Sequence, residues 1–380
     1  MPLRSQKVLL SLVTHSLCLL LAVSPTLAAQ EMSEPEQDEK FTADAVEESG
    51  PTRIYRTREE QREAGLETEI TPWLTLSGLL EGEVLTDRFI PQDRDGAIKA
   101  RERNATLQFA LTVDLFGLAE GEMVVEYDSD PDKFFSEEAF ITFEYEPMEL
   151  SLGKQFTPLG LYFSRFITGP MLEFGETSAR QAVLLTYGPS DEFDLTLAAY
   201  RGRVSEVGED EEWDWAIGFE AWSSDHFSFG LSYQSDLADS DERVLEDDHS
   251  IKRVPAISAY LLGITDSFEF SFEIVAALDD FRELDKEINR PMAWNAEVAY
   301  FFPSSDFDLA LRIESSTELE DEPEYRYGAA ITWYMDRRVN LSLEYLRGQF
   351  NTESFAIERN EDEVLIQHVN TMSAKISILF

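Results

Sequence analysis

With 380 residues, 31 Lys+Arg against 75 Asp+Glu and a formal net charge of −44, the chain repels polyanions, which excludes a nucleic-acid partner. Hydrophobic residues make up 43% and aromatics 12%, so the acidity is not that of a disordered chain. The length allows two or three small domains or one large all-β domain. The one cysteine, Cys18, falls in the N-terminal apolar run, which removes disulfides, zinc–thiolate sites and Cys nucleophiles from a mature protein.

Residues 1–29 read as a secretory signal. Arg4 and Lys7 precede the apolar run Val8–Val23, and small residues follow at Ala28 and Ala29. The run is short for a membrane-spanning helix of roughly 20 residues. Residues 30–70 read as an acidic periplasmic lead-in, partly disordered: Gln30–Gly50 is nearly devoid of large apolar residues, and Arg56–Thr68 lacks an apolar stripe.

From Thr71 to Phe380 the period is two. Ala105, Leu107, Phe109, Leu111 and Val113 alternate with polar residues, as do Phe227, Phe229, Leu231 and Tyr233, then Phe268, Phe270, Phe272 and Ile274, then Phe307, Leu309, Leu311 and Ile313. Such alternation places one strand face in an apolar medium and the other in a polar one. Short turns (Phe116–Ala119, Tyr145–Met148, Gly188–Glu192 and later ones) alternate with long connections such as Asp87–Arg103, Asp128–Ser136, Thr157–Ala179, Asp236–Arg253 and Gly348–Asp362. The pattern predicts an all-β fold, a transmembrane antiparallel β-barrel of about 16 strands in the bacterial outer membrane, with both ends periplasmic. Trp73, Tyr187, Trp213, Trp215, Trp222, Tyr300, Phe301, Phe302 and Trp333 fall near strand ends, as interfacial girdles require. Phe380, with Ile376 and Ile378 before it, resembles the C-terminal signal read by barrel-assembly machinery.

The polar parity lists the lumen. Acids dominate it, among them Glu81, Glu83, Glu122, Glu126 and Glu144, against the bases Arg312 and Arg326. A charge on the lipid face costs roughly 2–4 kcal/mol at the midplane, so the parity is well constrained. Lys154 and Arg201 break it, at outer strand ends from which they can snorkel. A lumen of this composition favours cations.

One connection differs from the rest. Leu150–Pro189 holds a loop rich in Gly, Pro and aromatics, with Arg165, Glu173 and Glu176 among them and Arg180 at its exit. So apolar a loop gains free energy by packing. It is expected to fold into the lumen, with Phe156, Leu161, Phe163 and Phe166 on the wall and the charges forming a constriction. The alternative is that it caps the rim or packs on a neighbouring protomer.

The runs GKQFTPLG (153–160) and GPMLEFGET (169–177), with Gly153, Pro158, Gly160, Pro170 and Gly175, and the entry stretch Ala64–Glu83 resemble the LbtU family of outer-membrane siderophore porins. That resemblance implies a barrel importing a ferri-siderophore without a plug domain. The alternatives are a general cation-preferring porin and a structural or adhesive barrel with acidic surface loops. A homotrimer is the form expected of a porin of this size.

Catalysis finds little support. His226, His249 and His368 lie in a turn, an acidic loop and a lipid-side position, and no Gly-flanked nucleophilic Ser accompanies them. Asp236–Asp248 lacks the spacing of a calcium loop. It reads as a solvated face bridged to lipopolysaccharide by divalent ions, and no cofactor or resident metal is expected.

Overall fold

Sixteen strands follow one another around a closed antiparallel barrel in a computed structural model. They are β1 (Leu74–Pro91), β2 (Ile98–Asp114), β3 (Glu120–Asp128), β4 (Lys133–Tyr145), β5 (Met148–Phe156), β6 (Ser178–Ser190), β7 (Phe193–Arg201) and β8 (Trp213–Ser224). The second half comprises β9 (Phe227–Gln234), β10 (Ala256–Ile264), β11 (Phe268–Ala277), β12 (Met292–Phe301), β13 (Phe307–Thr317), β14 (Tyr325–Asp336), β15 (Val339–Gln349) and β16 (Asp362–Leu379). The structure describes residues 66–92, 96–129, 133–190, 192–206, 213–224, 226–241, 244–245, 249–284, 289–303, 305–319, 322–351, 355–359 and 362–380. The expected signal and most of the expected lead-in lie outside these residues.

Each strand pairs with its sequence neighbours, and β16 pairs with β1 from Leu79↔Leu379 to Pro91↔Ile366 to close the ring. At the seam the backbones of Gly78 and Phe380 exchange hydrogen bonds of 2.7 and 2.9 Å. A Cβ on residue 78 would sit 2.4 Å from the Phe380 ring, so the ring packs there against a residue without a side chain.

Burial is inverted relative to a water-soluble core, as the alternation predicts for a barrel in lipid. In β13, Phe307, Leu311 and Ile313 are exposed on the outside, whereas Asp308, Arg312 and Glu314 are buried inside. The same holds in β9, where Ser228, Gly230, Ser232 and Gln234 face in. Trp73, Tyr187, Trp213, Trp215, Phe302 and Trp333 are exposed, as girdle residues should be.

Several expectations are corrected. Phe301 is only 1% exposed and Trp222 pairs with the buried Ser228, so both face inward: the parity of their strands overrides their place near a strand end. The first connection is mostly strand, because β1 and β2 continue pairing out to Phe89↔Ile98. Within the stretch read as lead-in, Leu66 is buried and Thr68–Thr71 pairs with the start of β1. A register shift on β3, from Val124↔Glu138 to Val125↔Ser136, makes a bulge of β4 at Glu137. Glu137 then joins Glu126 as an acceptor for the Gln108 side chain, adding a lumen acid that strict alternation hides.

Candidate functional site: the inward loop and the acidic wall

The third long loop, 157–177, lies inside the barrel against the inward faces of β9 and β11–β15. Its stem is closed by Thr157 N–H donating to the Thr177 carbonyl at 2.9 Å. Gln234 of β9, fully buried, clamps both ends: its Oε1 accepts from Thr157 Oγ1 at 2.7 Å and its Nε2 donates to Thr177 Oγ1 at 3.0 Å.

Wall carboxylates grip the loop backbone strand by strand. Glu273 of β11 accepts from Leu161 N and Tyr162 N at 2.6 and 2.9 Å. Glu297 of β12 accepts from Ser164 Oγ and Arg165 N. Glu314 of β13 accepts from Met171 N at 2.8 Å. Glu344 of β15 accepts from Ile167 N and Thr168 N at 2.6 and 3.0 Å. A buried carboxylate is costly unless its lone pairs are filled, and backbone N–H groups fill them here.

Three arginines complete the contact. Arg165 of the loop reaches the wall, with Nε 2.7 Å from Glu269 Oε1 and Nη1 3.0 Å from Asp308 Oδ2. Its guanidinium also lies over the Phe301 ring at 4.7 Å. Burial alone would lower the Arg165 pKa, but the Glu269 and Asp308 carboxylates outweigh it and raise the value, so the cation is locked. Arg312 and Arg326 of the wall share Glu314, at 3.1 and 2.6 Å, and both donate to the Gly169 carbonyl. Arg312 also covers the Phe166 ring at 4.2 Å. Phe166 fits because Ala299, Ala310 and Ala330 leave room at facing positions of the wall.

Beyond this contact the loop forms a 3-10 helix, Met171–Gly175, whose Met171, Leu172 and Phe174 are buried. They pack with Leu159, Leu237, Ala238, Val254, Val275 and Phe281 in a core that also takes in the fifth long loop, 235–255. This corrects the reading of Asp236–Asp248 as a solvated face at Asp236–Ser240, whereas Asp241 is exposed and residues 242–243 and 246–248 lie outside the described residues. Asp236, Leu237, Ala238 and Asp239 are buried because Asp236 Oδ1 caps Ala238 N and Val254 N, while Asp239 Oδ1 accepts from Arg203 N and Val204 N. Burial pushes the Asp236 and Asp239 carboxyls up, to about 7 and about 8.

The expected constriction charges separate. Arg165 does not reach into the channel: it is 3% exposed and spent on the wall. Arg312 and Arg326, expected to line the lumen, are likewise consumed beneath the loop. Glu173 and Glu176 stay half-buried at the outer mouth, where the Glu176 carbonyl accepts from Asp241 N. Arg180 is exposed at the outer end of β6, and Phe156 stays in β5 instead of entering the loop. Glu144 is exposed at the short-turn end of β4. Of the loop motif, Gly153 and Gly160 carry φ of +149° and +83°. Pro158 packs over Gly218, Pro170 is buried at the head of the 3-10 helix, and Gly175 abuts Val275.

The loop leaves the opposite wall uncovered. Glu81, Glu83, Glu122 and Glu126 on β1 and β3 are half-buried, with Lys375 of β16 at 3.3 Å from Glu81. The interior is thus divided into a half covered by the loop, where Arg165, Arg312 and Arg326 offset part of the acid charge, and an acidic half beside it. Among the described residues no group of three or more His, Cys, Asp or Glu is placed to hold a metal ion.

No family model matches this sequence. A UPF0422 protein of Coxiella burnetii (strain RSA 493 / Nine Mile phase I) is 28% identical over 323 residues, which cover 77% of this chain and 67% of that protein. Among solved structures, Salmonella typhi OmpF in complex with daunomycin aligns with a TM-score of 0.55 at 12% identity, over 83% of this chain and 100% of that one. A mutant Rh. blastica porin aligns with a TM-score of 0.51 at 12% identity, over 81% and 100%. The fold of this chain, a closed sixteen-stranded antiparallel barrel, is the fold of bacterial porins.

Proposed function

We propose that the chain is an outer-membrane channel through which small solutes diffuse passively, with a preference for cations. The observation that carries this reading is the division of the lumen. The loop 157–177 covers one half and absorbs Arg165, Arg312 and Arg326, so the side left open is lined by Glu81, Glu83, Glu122 and Glu126. A wall of one sign raises the local concentration of opposite charge and selects by sign. The outward apolar belt and the porin fold support placement in an outer membrane.

The finer reading is import of a ferri-siderophore without a plug domain, which rests on the resemblance of 153–160 and 169–177 to siderophore porins. The acidic half-lumen favours a neutral or cationic complex over a polycarboxylate one. Reversal potentials of the purified barrel in planar bilayers under a KCl gradient test the channel. Cation preference is expected, and a silent bilayer or equal K⁺ and Cl⁻ permeability contradicts it. Iron-restricted growth of a deletion strain on defined ferri-siderophores tests the solute, and unchanged growth on all of them removes the finer reading.

A further inference from the structure

The outside of the barrel carries one patch whose charge runs against the whole chain. Arg88 on β1 sits directly opposite Lys99 on β2, and on its other side opposite Asn370 of β16, which in turn faces Arg347 of β15. These four residues form one row across four adjacent strands, with neighbouring side chains about 5 Å apart. The next outward positions of β2, Arg101 and Arg103, extend the patch toward the membrane belt. In a chain with 75 acids to 31 bases, none of the outward positions from Val84 to Arg88, Lys99 to Ala105, Tyr345 to Arg347 and Asn370 to Ala374 is acidic.

Two features point to an external anion. Like charges directly opposed across strands are destabilising, yet Arg88 faces Lys99, and among the described residues none of the five cations makes an ion pair. Asn370 accepts from the Tyr345 hydroxyl at 2.9 Å on its Oδ1, which leaves its amide N–H groups to donate between Arg88 and Arg347. With the Asn370 Oδ1 occupied by Tyr345, the side-chain groups the row has left to offer are donors.

Its height selects the ligand. Below it on the same outward face follow Tyr345, Leu343 and Leu341 on β15, and Ala105, Leu107 and Phe109 on β2, the apolar belt. Exposed Tyr345 and Met372 flank the row on its membrane side, and exposed Tyr327 of β14 continues it opposite Arg347, as in an aromatic girdle at the headgroup boundary. Arg88, Lys99, Arg101 and Arg103 are solvent-exposed. Arg88 and Lys99 lie one step to the long-loop side of Tyr345 and Met372, Arg101 lies in register with that pair, and Arg103 one step further toward the belt. Arginine forks match phosphate oxygens bidentately. Resting on the outer-membrane placement above, we infer that Arg88, Lys99, Arg101, Arg103 and Arg347 bind the phosphates of an anionic glycolipid headgroup in the outer leaflet.

The test uses the full-length barrel, purified in non-ionic detergent and titrated with diphosphoryl lipid A by native mass spectrometry. Its comparison variant carries Arg88→Gln, Lys99→Gln, Arg101→Gln, Arg103→Gln and Arg347→Gln, and a lighter one carries Arg88→Gln and Arg347→Gln alone, in case the first fails to fold. Binding is expected to weaken roughly tenfold or more even in the lighter variant, since clustered cations act together on an anionic headgroup. Dephosphorylated lipid should bind the wild type no better than it binds the variant. Equal affinity of wild type and both variants overturns the inference. So does full competition by millimolar inorganic phosphate, which assigns the row to a soluble anion. Dissociation of an oligomer in the variant with lipid affinity unchanged also overturns it, making the row an interface between copies. Conductance of the same preparations keeps the two readings apart: a variant that loses lipid but conducts like wild type supports this site, and wild type that binds lipid but does not conduct removes only the channel.

Discussion

Arg165 of the inward loop and Glu269 of β11 form an ion pair at 2.7 Å with both side chains no more than 3% exposed, and Asp308 closes on the same guanidinium from β13. Breaking a buried pair by removing one partner typically costs about 3–5 kcal/mol, because the other charge stays behind without compensation. Arg165→Gln is therefore expected to lower the heat-modification midpoint and to make single-channel current noisier, as the loop detaches from its wall. Arg165→Met combined with Glu269→Gln and Asp308→Asn should recover part of the stability. A quiet Arg165→Gln channel of wild-type stability would show that the backbone contacts to Glu273, Glu297 and Glu344 hold the loop alone.

Selectivity should follow the uncovered wall and not the gripped one. Changing Glu81, Glu83 and Glu126 together to Gln removes three half-buried carboxylates beside the open lumen. The ratio of K⁺ to Cl⁻ permeability, read from reversal potentials, should fall several-fold. Glu273→Gln and Glu344→Gln should leave that ratio nearly constant and act on current stability instead, since their oxygens are occupied by loop N–H groups. Glu173→Gln with Glu176→Gln, at the outer mouth, should shift the ratio less than the wall triple does. The reverse ranking would move the selectivity filter to the 3-10 helix.

The alternation of Phe307, Leu309, Leu311 and Ile313 with Asp308, Arg312 and Glu314 was enough to read strand, face and barrel, because the lipid boundary penalises any violation of period two. The inward loop was legible for a similar reason: its Phe and Leu residues need a surface. Which lumen charges the loop covers was not legible. Glu81 and Glu344 have the same parity and the same chemistry, and only the loop's resting place on β11–β15 separates a selective carboxylate from an anchoring one. The loop at Asp236 misled for a related reason. Asp236 and Asp239 read as solvated acids, yet they are buried acceptors for backbone N–H groups, and nothing local in the chain distinguishes the two uses. Glu137 was hidden by a bulge, which shifts parity without leaving a mark in composition.

The seat of the fifth long loop should weaken as pH rises. Burial holds the carboxyls of Asp236 and Asp239 at about 7 and about 8, against about 3.9 for a free Asp. Between about pH 4 and those values the folded loop retains protons that the unseated loop gives up, so stability falls with increasing pH across that window and levels off above it. A tenfold difference in proton affinity between the two states is worth about 1.4 kcal/mol, which makes the loss on the order of several kcal/mol. Heat-modification midpoints from pH 5 to pH 9 should decline for the wild type. A variant with Asp236→Asn and Asp239→Asn, which keeps an acceptor oxygen at each position, should decline less and be the more stable of the two at pH 9. Parallel curves for the two proteins would place the pH response elsewhere.

Two glycines in the same half of the barrel should respond oppositely to the same change. Gly153 of β5 has φ of +149°, and a Cβ built there would lie 2.2 Å from the Ala139 carbonyl oxygen and 2.6 Å from Phe140 Cα. Backbone atoms of a paired strand cannot move aside as a flexible side chain can. The adjacent register shift between Gly153 and Gln155 is an irregularity in the β5–β6 ladder, which resumes at Gln155↔Ala179 and Phe156↔Ser178 beside the loop stem. Gly153→Ala should therefore cost about 2 kcal/mol or more, through strain in a conformation that only glycine adopts freely. Gly121→Ala on β3 meets nothing nearer than 3.9 Å and should stay within about 0.5 kcal/mol of wild type. Refolding yield into detergent and unfolding in urea measure both. If Gly153→Ala assembles as well as Gly121→Ala, the irregularity beside the loop stem does not depend on this glycine, and the stem clamp formed by Gln234 on Thr157 and Thr177 must direct the loop by itself.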